Sequence, residues 1–502
     1  MCAMSNIPPL FRLPNVLFAT VLSEWLDMPS IGMLDTAVSS KKHRPQFLKS
    51  LQSMRSSSVD EFSDIRGRDV LYDCFNWAGC WWRWLSLRQV FVTSVFVRGV
   101  EVRSDLTIPS LRKVVADVFE DDDLNYLVRN CPSLRCLRLE HSHVSHNGLR
   151  TVNRLHDSLE EFTLSVNDRI EKYYIQSAAA LVDVLCCCSR LRKVSLTGDT
   201  LRSVDLEELI PYGHLIYELQ FHYEDRAIQD LQGISNFISS CSNLRKFQYN
   251  GFDDVDDSIV IRTVVRSCPQ LEEFELLSIC LDRQDEQLAD AVNASANSVA
   301  DTGRLNLPGF KNVCRLTLYN CILPAWIFRS IAGMEALTIL NMDYCNGLTG
   351  AGLAALAGTK LESVTLAGNF DDVTAASLQF LVGSNISLTL QSFVLSVYKK
   401  MSPIDDIQVA TALASCHNLR RLLVKVKTRA CIFDLVGLQT LVAGCPMLAD
   451  VCLCLTAEGV HYLGTHCSNL TKCAVINSIS VPLEDLQTLY PAVEWLLWGE
   501  ER

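Results

Sequence analysis

A six-residue motif recurs along most of this chain: an apolar anchor, two variable residues, an apolar residue, one variable residue and a third apolar residue. It reads L-R-C-L-R-L at Leu134–Leu139, L-E-E-F-T-L at Leu159–Leu164, L-R-K-V-S-L at Leu191–Leu196, L-R-K-F-Q-Y at Leu244–Tyr249 and L-E-E-F-E-L at Leu271–Leu276. Further copies start at Val313, Leu337, Leu361, Leu390, Leu419, Leu448 and Leu470, and weaker ones at Leu87, Leu111, Ile216 and Val493. Those are sixteen registers with a mean step of about 27 residues. Self-similarity at such a period demands a repeat architecture. Within each motif the last two apolar positions alternate with variable ones, so a short strand sends one face into a core and leaves the other outward.

Each register is followed by a helical return segment, for example Gly352–Leu356 or Gly437–Leu441. One such unit cannot bury its apolar edge, whereas stacked units share a continuous core and gain stability through nearest-neighbour interfaces. The expected fold is α/β: a curved solenoid of about sixteen units, with parallel strands on a concave face. The motif and its period resemble those of leucine-rich repeats. A cysteine commonly stands between helix and strand, at Cys131, Cys241, Cys268, Cys416, Cys445 and Cys467, where a thiol acts as a small hydrophobe in a tight turn. Leu337–Leu361 and Cys445–Leu470 resemble the cysteine-containing subclass. The step from Leu271 to Val313 is long because it holds Asp282–Leu307, polar and rich in Ala, Ser and Asn, which reads as a loop insertion.

Ahead of the repeats, Leu13-Pro14 opens an amphipathic pattern through Leu17, Val21, Leu22, Trp25 and Leu26, and Asp27-Met28-Pro29-Ser30 stops it. A second pattern follows at Ile31, Leu34, Ala37 and Val38. The segment resembles the F-box, a three-helix module that docks onto the adaptor subunit of cullin-based ubiquitin ligases, and that subclass of repeats is typical of F-box proteins. Two positions depart from the F-box pattern. Val16 stands where an acidic residue is usual, and Ala37-Val38-Ser39-Ser40-Lys41-Lys42 lacks the usual tryptophan. The resemblance implies an adaptor-binding face made of Leu13, Pro14, Leu17, Leu22, Trp25 and Leu26. The alternative is a helical cap over the first repeat. The chain thus divides into an F-box-like helical module at 1–51, a linker and tryptophan-rich seam at 52–86 and the repeats at 87–502. Trp77, Trp81, Trp82 and Trp84 fit a seam that hides the open end of the array.

Composition narrows the function classes. With 45 Lys and Arg against 57 Asp and Glu the net charge is −12, which disfavours non-specific nucleic-acid binding. The 21 cysteines are odd in number and only about 4% of the chain, so a disulfide scaffold is not expected. The start of the chain lacks a signal-peptide pattern, and the uncharged stretch Val373–Tyr398 carries Gln379, Asn385 and Gln391, which a bilayer penalises. A cytoplasmic or nuclear protein without membrane association is expected.

Nothing in the sequence assembles a catalytic constellation. Phosphate-binding glycine loops, H-E-x-x-H, G-x-S-x-G and paired C-x-x-C are all absent. The triplet His141, His143 and His146 reads as a solvated turn without a second ligand cluster, and Cys186–Cys188 and Cys452/Cys454 as thiols of the repeat core and turns. The acidic runs Glu120–Asp123 and Asp253–Asp257 read as turns. No enzyme, cofactor or metal is expected.

What remains is the outward strand face, including Glu161, Lys193, Gln220, Lys246, Gln248, Glu273, Glu275, Asn341 and Asp343. Arg315, Tyr319, Arg421, Lys425 and Lys427 are the candidate substrate-binding residues; Arg421 and Lys425 share one face by alternation, within a basic stretch suited to an acidic or phosphorylated segment. Together with the F-box resemblance this implies a non-catalytic adaptor that holds a target protein on the repeats and presents it to a cullin ubiquitin ligase. An interaction scaffold with an N-terminal helical cap is the other reading.

Overall fold

In the computed structural model the described residues are 111–140, 142–166, 178–198, 206–221, 231–251, 258–279, 310–323, 325–369, 377–378, 384–397, 406–426, 433–476 and 482–498. Before residue 111 they are 45, 47, 55–56, 91–92 and 94–98. Leu13 to Leu26, the tryptophan seam, Asp253–Asp257 and Asp282–Leu307 lie outside them.

The chain divides into two units, Met1–Tyr217 and Glu218–Arg502. The first holds strands β1 (Ser94–Arg98), β2 (Lys113–Asp117), β3 (Cys136–Glu140), β4 (Glu161–Val166) and β5 (Lys193–Gly198). Helices α1 (Asp121–Asn130), α2 (His146–Thr151) and α3 (Ala178–Cys187) connect β2 through β5. The second begins within β6 (Ile216–Phe221) and continues through α4 (Leu231–Ser240), β7 (Lys246–Asn250), α5 (Ser258–Ser267), β8 (Glu273–Leu277), β9 (Arg315–Tyr319), α6 (Ala325–Ala332) and β10 (Ile339–Asn346). It then adds α7 (Gly350–Ala355), β11 (Ser363–Asn369), α8 (Asn385–Thr389), β12 (Ser392–Val397), α9 (Asp406–Leu413), β13 (Arg421–Val426) and α10 (Leu435–Gly444). The last elements are β14 (Asp450–Cys454), α11 (Ala457–His466), β15 (Lys472–Ile476), α12 (Leu483–Leu489) and β16 (Glu494–Trp498). Within each unit successive strands pair in parallel, one strand per repeat. Both units are arrays of leucine-rich repeats.

The motif dictates this pairing. Leu134, Leu137 and Leu139 are fully buried, and so are Leu361, Val364 and Leu366 at the matching positions of a later repeat. The same register therefore recurs strand after strand. Backbone hydrogen bonds lock it further. The carbonyl just after each anchor accepts two successive N–H groups from the next repeat: Arg135 O takes Glu160 N and Glu161 N, and Arg420 O takes Ala449 N and Asp450 N, all at 2.7–2.9 Å. A one-residue slip would break both bonds and turn the apolar set outward.

The cysteines sit where a tight turn needs them. Cys131, Cys445 and Cys467 follow the last residue of α1, α10 and α11, their N–H groups donating to the helix carbonyl four residues back. The carbonyl of each then accepts the N–H of the next anchor, Leu134, Leu448 and Leu470. Cys241 and Cys445 are fully buried, and their Sγ atoms donate to Phe237 O and Leu413 O at 3.3 and 3.2 Å.

Four sequence expectations change. Ser94 pairs with Lys113, so the first register is anchored at Val92, not Leu87. Val493 is the buried last anchor, its N–H donating to Tyr490 O, but Glu494 pairs with Lys472, so the phase of the strand after it moves by one residue: Trp495 goes inward and Leu496 outward. The run Glu120–Asp123 is not a turn but the cap and first turn of α1, where carboxylates meet the positive end of the helix. Asp121 also accepts from Ser145, the N-cap of α2, tying two repeats together. Of the cysteine clusters, Cys186 and Cys187 are exposed on α3 and only Cys188 is core, while Cys452 stands on the outward side of β14 and is nevertheless buried.

Candidate functional site

The outward positions of β6 to β10 line up in rows across the strands. The first row runs Glu218, Lys246, Glu273, Arg315 and Ile339; the second runs Gln220, Gln248, Glu275, Thr317 and Asn341. A third row places Leu277, Tyr319 and Asp343 side by side. A depression of about 90 Å³ opens on the first two rows, floored by Leu219, Phe247 and Phe274 and edged by Glu218, Lys246, Glu273, Glu275 and Arg315. The floor is rigid: Phe247 stacks on Phe274 with centroids 6.1 Å apart, and Phe221 meets it edge-on at 6.2 Å.

Charge in the first row is partly matched internally. Lys246 Nζ lies 3.0 Å from Glu273 Oε1. The side chains of Gln248, Glu275, Arg315 and Thr317 make no hydrogen bond or ion pair with other described residues. Glu275 is half-buried, and burial raises its carboxyl above the ordinary range; Glu273 adds to the rise and Arg315 opposes it. An ionised carboxylate there awaits a cation or a donor.

Two rings stand beside the depression. Tyr319 and Tyr344 are 40% and 46% exposed, and they meet edge-to-face with centroids 5.3 Å apart. Tyr344 has φ +54°, in the left-handed region that L-residues avoid. Between β10 and β11 the register shifts from Met342↔Leu366 to Cys345↔Gly368, so Asp343 and Tyr344 together face one residue. That is a β-bulge, a device that re-aims a side chain.

The sequence-derived candidates fall in three places. Arg315 and Tyr319 belong to this site. Arg421 and Lys425 do share the outward side of β13, but Arg421 Nε is 3.3 Å from Asp450 Oδ2 of β14, so its charge is already matched. Lys427 lies outside the described residues, as do Leu13, Pro14, Leu17, Leu22, Trp25 and Leu26. Tyr344 escaped sequence reading because alternation from Leu340 and Met342 points it into the core. The signal was the next apolar residue, Cys345, fully buried one position out of phase.

Several of the buried thiols are poor nucleophiles. Burial pushes Cys268 and Cys445 up to about 12, and Cys416 and Cys467 up to about 11. Among the described residues no group of three or more His, Cys, Asp or Glu could hold a metal ion. None of the described helices is long and apolar enough to cross a membrane.

No protein-family model and no curated protein sequence matches the chain. Among solved structures, the chain is similar to an internalin from Listeria monocytogenes, at 14% identity over 78% of this chain and 87% of that one, with a TM-score of 0.38. Similarity to a crystal structure of the Rad7 and Elc1 complex in yeast covers 94% and 98% at 14% identity and a TM-score of 0.44. A leucine-rich-repeat protein of Leptospira interrogans matches over 77% and 90% at 14% identity and a TM-score of 0.39. The repeat assignment above rests on this chain's own strand register.

Proposed function

We propose that the protein is a non-catalytic substrate adaptor: its outward strand face on β6 to β10 holds a target protein, and its F-box-like N-terminal segment carries that target to a cullin ubiquitin ligase. The observation behind the binding half is the second row, where Gln248, Glu275 and Thr317 stand on three adjacent strands without partners among the described residues. Unmatched polar groups at fixed spacing on a rigid floor are what a specific protein contact uses, because each is satisfied only by a complementary surface. The ligase half is supported by Leu13-Pro14 and the apolar pattern through Trp25 and Leu26.

The mechanism is proximity. Holding a target beside a charged conjugating enzyme raises the local concentration of the target's lysines and makes transfer effectively intramolecular. The protein itself moves no proton and forms no covalent bond.

The test is co-purification of the full chain with the ligase's adaptor subunit, beside the double variant Leu13→Asp/Trp25→Asp. A stoichiometric complex lost in the variant, with urea unfolding unchanged, is the expected result. Failure of the wild-type chain to form a complex at micromolar concentration refutes the ligase role and leaves a repeat scaffold with a helical cap.

A further inference from the structure

We propose that Tyr319, Tyr344 and Glu275 form a receptor for a basic side chain, so that the protein partner of this face presents an arginine or lysine there. The inference deepens the binding half of the proposed function and rests on it.

Three independent features converge. The first is the aromatic pair. Two exposed rings 5.3 Å apart and inclined at 63° offer a π-face to a ligand, and a cation over such a face is attracted by the ring quadrupole. The second is the placement of charge. Asp343 stands opposite Tyr319 on β10, and Glu275 lies one strand over and one outward position down from it, about 8 Å away from strand spacing and rise. A carboxylate, Glu275, therefore stands on the strand beside Tyr319. Of the nearest cations, Lys246 is paired with Glu273, and Arg315 offsets Glu275 in part without forming an ion pair with it, from two outward positions below Tyr319, on the side away from Tyr344.

The third feature is the backbone at Tyr344. The left-handed conformation recurs at the corresponding position of other repeats, at Val118, Ser278 and Asn320. It lets the backbone N–H reach the next strand, as Val118 N does to Glu140 O and Asn320 N to Asp343 O, at 2.9 and 2.8 Å. The turn thus belongs to the repeat, but a large ring on it does not follow from the turn. Glycine or asparagine would meet the backbone requirement with less strain. A tyrosine held there, inside a bulge and against a second exposed tyrosine, spends conformational energy on an outward ring, a pattern associated with binding sites.

The charge balance selects the partner. An acidic or phosphorylated segment would meet Glu275 beside the rings, a like charge whose juxtaposition is unfavourable. A guanidinium satisfies both demands: its plane stacks on tyrosine while its N–H fork donates to a carboxylate. Bound cation also lowers the cost of ionising the half-buried Glu275.

The experiment uses the full-length protein and two fluorescein-labelled nonapeptides, one alternating Gly and Arg, the other Gly and Glu, in fluorescence-anisotropy titrations at 150 mM salt. Saturable binding of the Arg peptide is expected. Tyr319→Ser/Tyr344→Asn should raise its Kd at least tenfold, since serine suits an outward strand position and asparagine suits positive φ, so the fold is kept. Glu275→Gln should raise Kd several-fold. Glu484→Gln/Asp485→Asn, on α12, controls for general attraction to an acidic chain and should leave Kd within twofold. Absence of saturable binding up to millimolar peptide, an unchanged Kd in the tyrosine variant, an equal loss in the α12 control, or tighter binding of the Glu peptide each overturns the proposal. These outcomes are separable from the ligase reading, which co-purification with the adaptor subunit tests on residues far away in sequence.

Discussion

Removing the ring of Phe247 tests whether this chain behaves as an array of coupled neighbours. Phe247 is 1% exposed and lies between repeats, stacked on Phe274 at 6.1 Å, on Tyr249 at 6.2 Å, and met edge-on by Phe221 at 6.2 Å. Truncating a buried phenylalanine to alanine costs about 3–5 kcal/mol from lost transfer energy and the cavity left behind. The three ring contacts place Phe247→Ala in the upper part of that range. In an array stabilised by nearest-neighbour interfaces the cost falls on the local opening of β6 to β8. Since about 1.4 kcal/mol is a factor of ten, amide exchange there should accelerate by roughly 10³-fold or somewhat more in Phe247→Ala. Amides of β14 and β15, some 200 residues further on, should exchange at wild-type rates. Hydrogen exchange read by mass spectrometry on the full chain resolves the two regions. Equal acceleration along the whole chain would refute the nearest-neighbour reasoning, and no acceleration at β7 would refute the packing argument.

Three further outcomes follow from individual positions. With thiols raised to about 12, Cys268 and Cys445 should be about 10⁻⁴ ionised at pH 8, against about a quarter for an ordinary thiol; alkylation followed by mass spectrometry should modify exposed Cys186 and Cys187 first, and early labelling of Cys268 contradicts its burial. Glu275 binds its proton more tightly folded than unfolded, so its contribution is neutral below pH 4.5 and becomes unfavourable as pH rises through its raised value. Glu275→Gln should therefore leave the urea midpoint unchanged at pH 4 and raise it at pH 7; a lower midpoint at pH 7 would mean the carboxylate has a stabilising partner. Gly347 has φ +88°, and a Cβ there would stand 2.2 Å from Leu323 O. Gly347→Ala should cost about 2 kcal/mol or more in urea unfolding, and a neutral result would disprove the tight approach of the two chain segments.

Much of the fold was legible because the motif is local. Leu, Val and Phe at anchor, fourth and sixth positions specify a strand with one apolar face, and the cysteine before the anchor marks where the helix ends. That reasoning placed Cys136–Glu140 through Lys472–Ile476 correctly. It misplaced the first register, where the motif weakens and Leu87 is as good an anchor by composition as Val92, and it missed the phase of the last, where Trp495 and not Leu496 turns inward after Val493. Hydrogen bonding to the adjacent strand makes the choice there.

The binding face divides the same way. Alternation alone puts Arg315, Tyr319, Glu275 and Arg421 outward, since side-chain direction along a strand depends on nothing beyond its own backbone. Whether an outward charge is available depends on what stands on the next strand, more than twenty residues away in sequence. Arg421 meets Asp450 and loses its freedom; Arg315 faces Glu273, which Lys246 already holds. Tyr344 reaches the surface only because a bulge reverses the phase of β10 between Met342 and Cys345. Residue spacing along the chain specifies the period, the core and most of the outward residues. Which of these stay unmatched is settled once the strands lie side by side, because pairing energy is a property of two strands brought together and not of either one.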